Sequence, residues 1–308
     1  MRPKVSIVGA GMVGHTAAHW LAAEELADLV LVDIIEKMPQ GKALDLAQAL
    51  PIRGVDLTVV GSNGYEETAG SQVVVIVAGV ARKPGMTREQ LLDTNAGIVR
   101  GVVEQVVRYS PEAILLVVTN PLDAMTYLTC KVSGFPRHRV VGQSGALDST
   151  RFRTFLAREV GVSVEDVHAM VIGAHTDKDM VPLPRFAHVG GVPLDHLLPA
   201  ERIQAVVART RRGGAEITEL MGISAFFAPG AAIAQMVEAI LRDKKRLVPC
   251  SVYLDGEYGE RDVCIGVPVV LGARGVERII ELPLDAQERA AFAASVAAVR
   301  EMIGALKL

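Results

Sequence analysis

The sequence predicts an α/β protein: a doubly wound parallel sheet in the first half, followed by an α+β half with an antiparallel sheet. Four observations predict it. Short apolar, β-branched runs alternate with helical stretches up to about residue 144. Those runs are continuously apolar, as expected of strands buried on both faces of a parallel sheet. The first of them enters a glycine turn that opens a helix. Beyond residue 145 the strict alternation stops.

The predicted strands of the first half cover 5–8, 29–32, 57–60, 73–78, 114–119 and 140–141, with helices over 12–24, 41–50, 88–108 and 122–132. Strands joined by helical crossovers make a Rossmann sheet, and ligands bind such sheets beyond the carboxyl ends of the strands. The division expected is 1–144 for a nucleotide-binding domain and 145–308 for a catalytic domain. No low-complexity linker separates them, so they are expected to pack rigidly.

The loop after the first strand is Gly9-Ala10-Gly11-Met12-Val13-Gly14. In this context Gly9 allows the tight turn, Gly11 lets backbone approach a pyrophosphate, and Gly14 lets helix and strand pack closely. An ordinary strand–turn–helix would need the same glycines only for the turn. Asp33 ends the second strand, 19 residues after Gly14. A carboxylate there bonds an adenosine ribose hydroxyl and repels a 2′-phosphate, so NAD is expected over NADP. Ile34 and Ile35 follow, with no adjacent Arg to receive that phosphate.

The loop from Ala78 to Arg88 carries Arg82, Lys83 and Arg88 with Pro84 and Gly85, and reads as a lid over an anionic substrate. For Lys83, plain surface basicity stays open as an alternative, less so for Arg82 and Arg88. Asn120 follows the fifth strand, where its amide either meets a ligand or caps the next helix.

The second half opens with a helix over 145–158, in which Asp148 and Arg151 share a face. A salt bridge between them is the plain alternative to a functional role. A strand over 167–172 ends at Gly173-Ala174-His175, which puts a histidine at a general-base position in a turn. Further along, the pattern predicts a hairpin over 186–192, helices over 200–220 and 224–241, strands over 247–254, 263–265, 268–271 and 276–282, and a last helix over 285–306.

Composition narrows the function. Half of the 308 residues are hydrophobic, 22% are charged, and the net charge is −3. Neither a nucleic-acid nor a membrane partner is expected from that balance. The first apolar run lacks the length of a secretory signal, and no run approaches a membrane span. The 3 cysteines, Cys130, Cys250 and Cys264, are widely spaced in apolar surroundings and read as reduced thiols of a cytoplasmic protein.

Together these segments resemble the lactate/malate dehydrogenase superfamily, and more closely its lactate-dehydrogenase-like malate dehydrogenases of bacteria. The resemblance runs along essentially the whole chain, through 9–14, Asp33, 39–46, 82–88, 119–123, 147–151, 173–177 and 180–184. It implies roles for individual residues. His175 is the general base and acid, and Asp148 holds its ring. Arg151 grips the substrate C1 carboxylate, and Arg88 polarises the reacting carbonyl from the lid. Asn120 contacts substrate and cofactor, and Asn95, Val118 and Thr119 join Gly9–Gly14 and Asp33 around NAD. Arg82 stands where the lactate enzymes commonly carry Gln, and implies a second carboxylate on the substrate.

The reaction so implied is oxidation of malate to oxaloacetate. L-lactate oxidation is the alternative, and a non-catalytic NAD-binding protein is a further one. The family forms dimers and tetramers, so a homo-oligomer is expected. The chain departs from the family pattern after the histidine. The usual His-Gly-Asp-x-Met-Val-Pro becomes His175-Thr176-Asp177-Lys178-Asp179-Met180-Val181-Pro182, with Thr for Gly and one residue added. A β-branched residue tolerates positive φ poorly, so the turn is expected to be rebuilt. The spacing of His175, Asp177 and Asp179 could serve a metal, but no further ligand cluster accompanies it and no metal is expected.

Overall fold

A computed structural model describes residues 2–81 and 85–307. Arg82, Lys83 and Pro84 lie outside the described residues. In chain order the first half is β1 (Lys4–Val8), α1 (Met12–Ala23), β2 (Asp28–Val32), α2 (Met38–Ala49), β3 (Val59–Ser62), β4 (Val73–Ile76), α3 (Arg88–Tyr109), β5 (Ile114–Val117), α4 (Leu122–Ser133) and β6 (Val140–Gly142). The second half is α5 (Gly145–Val160), β7 (Val167–His168), β8 (Val171–Gly173), β9 (Met180–Pro182), β10 (His188–Val189), β11 (Val192–Pro193), α6 (Ala200–Met221), α7 (Phe227–Leu241), β12 (Arg246–Asp255), β13 (Arg261–Gly272), β14 (Gly275–Ile279) and α8 (Ala286–Gly304).

Strands of the first half lie in the order β3-β2-β1-β4-β5-β6, all parallel, which is the doubly wound arrangement predicted. The sheet does not stop there. Gly142 of β6 pairs antiparallel with Ser251 of β12, and the sheet continues through β13, β8 and β9, with β14 also on β13. The continuous apolar runs have the expected cause. Along β4, Val73 and Val75 enter the core on one face, and Val74 and Ile76 enter the core on the other. Burying each such side chain contributes about 1.5–3 kcal/mol. Among the described residues no helix is long and apolar enough to cross a membrane.

Several elements differ from the sequence reading. Helix α2 begins at Met38 rather than Gly41, because Pro39 sits in its first turn, where a missing N–H is no loss. The strand expected over 167–172 is two strands in different sheets: β8 joins the main sheet, while β7 joins the three-stranded β11-β10-β7 sheet. The strands expected over 263–265 and 268–271 are one strand, β13. Pro268 stands opposite Pro249 of β12 and turns its carbonyl the other way, to the Ile280 N–H. The two prolines thus face each other in the pairing and the strand runs on through Pro268.

Candidate active site

The glycine turn is fastened to the sheet before it meets any ligand. The Gly9 N–H donates to the Val32 carbonyl at 2.8 Å, and the Ala78 N–H donates to the Val8 carbonyl at 2.8 Å. Gly9 has φ +104°, and a Cβ there would strike the backbone of Ala78. A Cβ on Gly14 would strike the Gly9 carbonyl. At Gly11 a Cβ would meet nothing within 4 Å. Gly11 thus leaves an open cradle at the head of α1, whose first N–H groups have no side-chain cap. This is the space and polarity that a diphosphate requires. Met12 and Val13 form the first helical turn beside it.

Asp33 lies at the carboxyl end of β2. Its Oδ2 accepts from the Ala10 N–H at 2.8 Å, and its Oδ1 accepts from the Ile35 N–H at 3.1 Å. The Ala10 carbonyl receives Lys42 Nζ at 2.6 Å, and the same ammonium contacts His15 Nδ1 at 3.1 Å. Burial and the neighbouring Lys42 charge lower the pKa of His15, which keeps its ring neutral and able to accept. The Ala10 peptide is therefore held at both ends by opposite charges. The sequence reading did not single out Lys42.

The 78–88 loop, expected to be a lid, lies only partly within the described residues, and Arg82 is outside them. Arg88 is the first residue of α3 and is exposed. Thr87 and Gln90 form a capping box that sets this helix start: the Gln90 N–H donates to Thr87 Oγ1 at 3.1 Å, and the Thr87 N–H donates to Gln90 Oε1 at 3.0 Å.

Asn95 is buried and engaged by backbone. Its Nδ2 donates to the carbonyls of Val80 and Asn120 at 3.1 and 2.7 Å, and its Oδ1 accepts from the Val80 N–H at 2.8 Å. Both of its amide hydrogens are used, so it works as a clasp between Val80 and Asn120. Asn120 itself is exposed, and Pro121 rather than Asn120 takes the N-cap position of α4, so the capping alternative is not what the fold uses. Thr119 Oγ1 donates to the Ala78 carbonyl at 2.7 Å, and the Val118 N–H donates to the Ile76 carbonyl at 2.9 Å, which ties this segment to β4.

The second half supplies the ionisable cluster. Asp148, in the first turn of α5, accepts from His175 Nδ1 at 2.7 Å through Oδ2 and from the Arg151 guanidinium at 2.9 Å through Oδ1. Its side chain is 2% exposed, that of Arg151 13%, and that of His175 17%. The salt bridge of the plain alternative is therefore present, and the same carboxylate also accepts from His175. Arg151 Nε is buried without a partner. Gly213 and Gly214, in the middle of α6, pack against this side chain, and a Cβ on Gly213 would sit 3.0 Å from Arg151 Cδ. That explains a glycine pair in a helix interior, where it ordinarily destabilises. Burial pulls the His175 pKa down, but the Asp148 charge and hydrogen bond outweigh it with help from Asp123, so it lies above the ordinary 6.5. With Nδ1–H directed to Asp148, Nε2 is left to exchange a proton.

The turn after His175 is rebuilt as expected, by a local device. Thr176 is not among the residues at positive φ; Gly173 is, with φ +84°. Thr176 and Asp179 bond each other, and the Met180 N–H closes the turn on the Thr176 carbonyl at 3.1 Å. Behind the turn, the His175 N–H donates to Asp123 Oδ2 at 2.8 Å, a contact the sequence reading missed. Among the described residues, no group of histidine, cysteine and carboxylate side chains is placed to hold a metal.

This geometry can be set beside known proteins. The model of the lactate/malate dehydrogenase NAD binding domain matches residues 3–142, and that of the lactate/malate dehydrogenase alpha/beta C-terminal domain matches residues 145–307. The chain is 57% identical to the malate dehydrogenase of Desulforudis audaxviator (strain MP104C), over all of this chain and 99% of that one. Its fold is similar to that of Cryptosporidium parvum malate dehydrogenase, with a TM-score of 0.96 at 43% identity over 100% of this chain and 99% of that one. It is also similar to a lactate dehydrogenase of that organism, complexed with lactic acid and nicotinamide adenine dinucleotide, with a TM-score of 0.95 at 41% identity over 99% of this chain and 98% of that one.

Proposed function

The chain belongs to the lactate/malate dehydrogenase family, and we propose that it catalyses the reversible NAD-dependent oxidation of (S)-malate to oxaloacetate. The observation that carries this reading is the Asp148 carboxylate shared between His175 and Arg151. It places a proton acceptor beside a carboxylate-binding guanidinium, which is what a 2-hydroxy acid presents to be oxidised.

Bound NAD supplies the hydride acceptor. In malate oxidation, His175 Nε2 takes the proton of the 2-hydroxyl, and Asp148 fixes the tautomer and stabilises the imidazolium that forms. In oxaloacetate reduction the same imidazolium returns the proton. Arg151 receives the C1 carboxylate with its planar fork. Arg88 polarises the C2 oxygen as charge develops there. Arg82 pairs with the second carboxylate and selects the dicarboxylate over lactate. Asn120 contacts substrate and cofactor at the end of β5, beside Val118 and Thr119. The open cradle at Gly11 and the uncapped head of α1 fit a diphosphate, and Asp33 favours NAD over NADP.

Residues 1–144 hold the cofactor and residues 145–308 carry the proton chemistry. The protein works in the cytoplasm as a homo-oligomer. The support for assembly is the exposure of large apolar side chains: Trp20 and Phe227, 38% and 66% exposed, line a groove of about 570 Å³ with Leu46.

Initial rates of NADH oxidation with oxaloacetate, with pyruvate, and with NADPH replacing NADH test the reading. Oxaloacetate with NADH is expected to be fastest by a wide margin. A pyruvate rate equal to or above it defeats the dicarboxylate assignment, and no turnover with either despite NADH binding defeats the catalytic one. Arg82→Gln is expected to weaken oxaloacetate reduction more than pyruvate reduction.

A further inference from the structure

Asp123 is the second residue of α4 and is 2% exposed. Its Oδ2 accepts from the His175 N–H at 2.8 Å, and its Oδ1 accepts from the Ser251 hydroxyl on β12 at 2.6 Å. One carboxylate thus joins the head of α4, the central antiparallel strand and the backbone of the proton-exchanging histidine. His175 is held twice, by its ring through Asp148 and by its main chain through Asp123.

The geometry alone does not call for a charge. An asparagine of the same shape could accept from the His175 N–H through its oxygen and donate to Ser251 through its nitrogen. A buried charge is expensive, and burial pushes the Asp123 carboxyl up to about 6, with the Ser251 hydroxyl, the His175 N–H and the His175 charge restraining the rise. At neutral pH and above the group is mainly ionised. His175 is stabilised as the cation by it, Asp148 opposes its ionisation from α5, and Cys264 feels its charge from β13. Arg151 acts on His175 in the opposite sense.

We propose that Asp123 is a positioning residue for His175, which fixes the histidine main chain and sets a second carboxylate behind the imidazole that protonates oxaloacetate as NADH reduces it. The proposal rests on the reaction assigned above. It gives the two carboxylates separate work: Asp148 orients the ring, and Asp123 sets the depth at which the ring enters the crevice and adds a second negative charge behind it.

The test is the pH profile of kcat/KM for oxaloacetate between pH 6 and 9.5, for the wild-type protein, Asp123→Asn and Ser251→Ala, with NADH binding followed by fluorescence. In the wild type the rate falls as His175 loses its proton. Asp123→Asn is expected to move that fall to lower pH by roughly half a unit or more, and to lower kcat about tenfold while NADH binding stays within about twofold. Ser251→Ala removes the hydroxyl that stabilises the ionised carboxylate, so it is expected to move the fall the same way by a smaller amount. A fall that stays in place in both variants overturns the proposal, whatever happens to kcat. A wild type that does not turn over oxaloacetate overturns the assigned reaction instead, so the two failures are distinct.

Discussion

Thr176 and Asp179 close the turn behind the proposed general base with reciprocal hydrogen bonds. Thr176 Oγ1 donates to Asp179 Oδ2 at 2.8 Å and accepts from the Asp179 N–H at 3.0 Å. The threonine therefore stands where the family pattern has glycine without needing glycine's backbone freedom, because the added residue places a partner three positions on. Thr176→Ala and Asp179→Ala should each lower stability by about 1–2 kcal/mol, the range for a lost hydrogen bond that leaves a half-buried partner. Thermal melts read the loss. Thr176→Gly should lose more, through added backbone freedom in the unfolded chain. A Thr176→Gly variant as stable as the wild type would show that the clasp contributes nothing.

The Asp148–His175 pair sets a pH dependence of opposite sign in the two directions. The Asp148 charge and hydrogen bond overcome burial and hold the His175 pKa above 6.5. Oxaloacetate reduction needs the imidazolium, so its rate should fall as pH rises through that raised value. Malate oxidation needs the neutral ring, so its rate should rise over the same window. The raised value also makes a stability contribution that is complete below about 6.5 and lost as pH rises through the folded-state pKa. Asp148→Asn should lower kcat by on the order of 10²–10⁴ and move both limbs to lower pH. Steady-state rates in both directions across pH 5.5–9.5 check this, and limbs that move in opposite directions would contradict a single shared group.

Much of the crevice was legible in the sequence, for a physical reason. Strands buried on both faces show as unbroken apolar runs, and the residues just past their carboxyl ends, such as Asp33 and Asn120, are where such a sheet binds ligands. What escaped was made by contacts between distant parts of the chain. The Asp123–His175 bond spans 52 positions and the Asp123–Ser251 bond spans 128, so no local spacing announces them. The apolar run over 167–172 looked like one strand because hydrophobicity does not tell which sheet a residue joins. His168, exposed and stacked on His188 with ring centroids 4.7 Å apart, was the local sign that the run divides. Gly213 and Gly214 were readable only as weak helix positions until the Arg151 side chain was seen against them.

Lys42 and Asp33 hold the Ala10 peptide from opposite ends, Lys42 Nζ at the carbonyl and Asp33 Oδ2 at the N–H. The ammonium keeps the Ala10 carbonyl directed to itself, and it adds a positive charge beside the phosphate cradle. Lys42→Met should therefore weaken NADH binding about tenfold, the loss expected for a charge-assisted hydrogen bond. KM for oxaloacetate should change little. The fluorescence of NADH on titration with the protein reads the affinity. Unchanged NADH affinity in Lys42→Met would show that the glycine turn keeps its shape without the lysine.

A pair of substitutions separates two functions proposed for Asp33. Its carboxylate holds the Ala10 and Ile35 N–H groups, and its charge opposes a 2′-phosphate. Asp33→Asn keeps one accepting oxygen and removes the charge, so it should raise activity with NADPH while leaving NADH binding within about a few-fold of the wild type. Asp33→Ala removes the acceptors as well, and should weaken both cofactors by loosening the turn that carries the phosphates. The measurement is the ratio of kcat/KM with NADH and NADPH for each variant, together with the two dissociation constants. If Asn and Ala change the ratio equally and leave NADH affinity alike, the hydrogen bonds to Ala10 and Ile35 play no part in cofactor binding and only the charge matters.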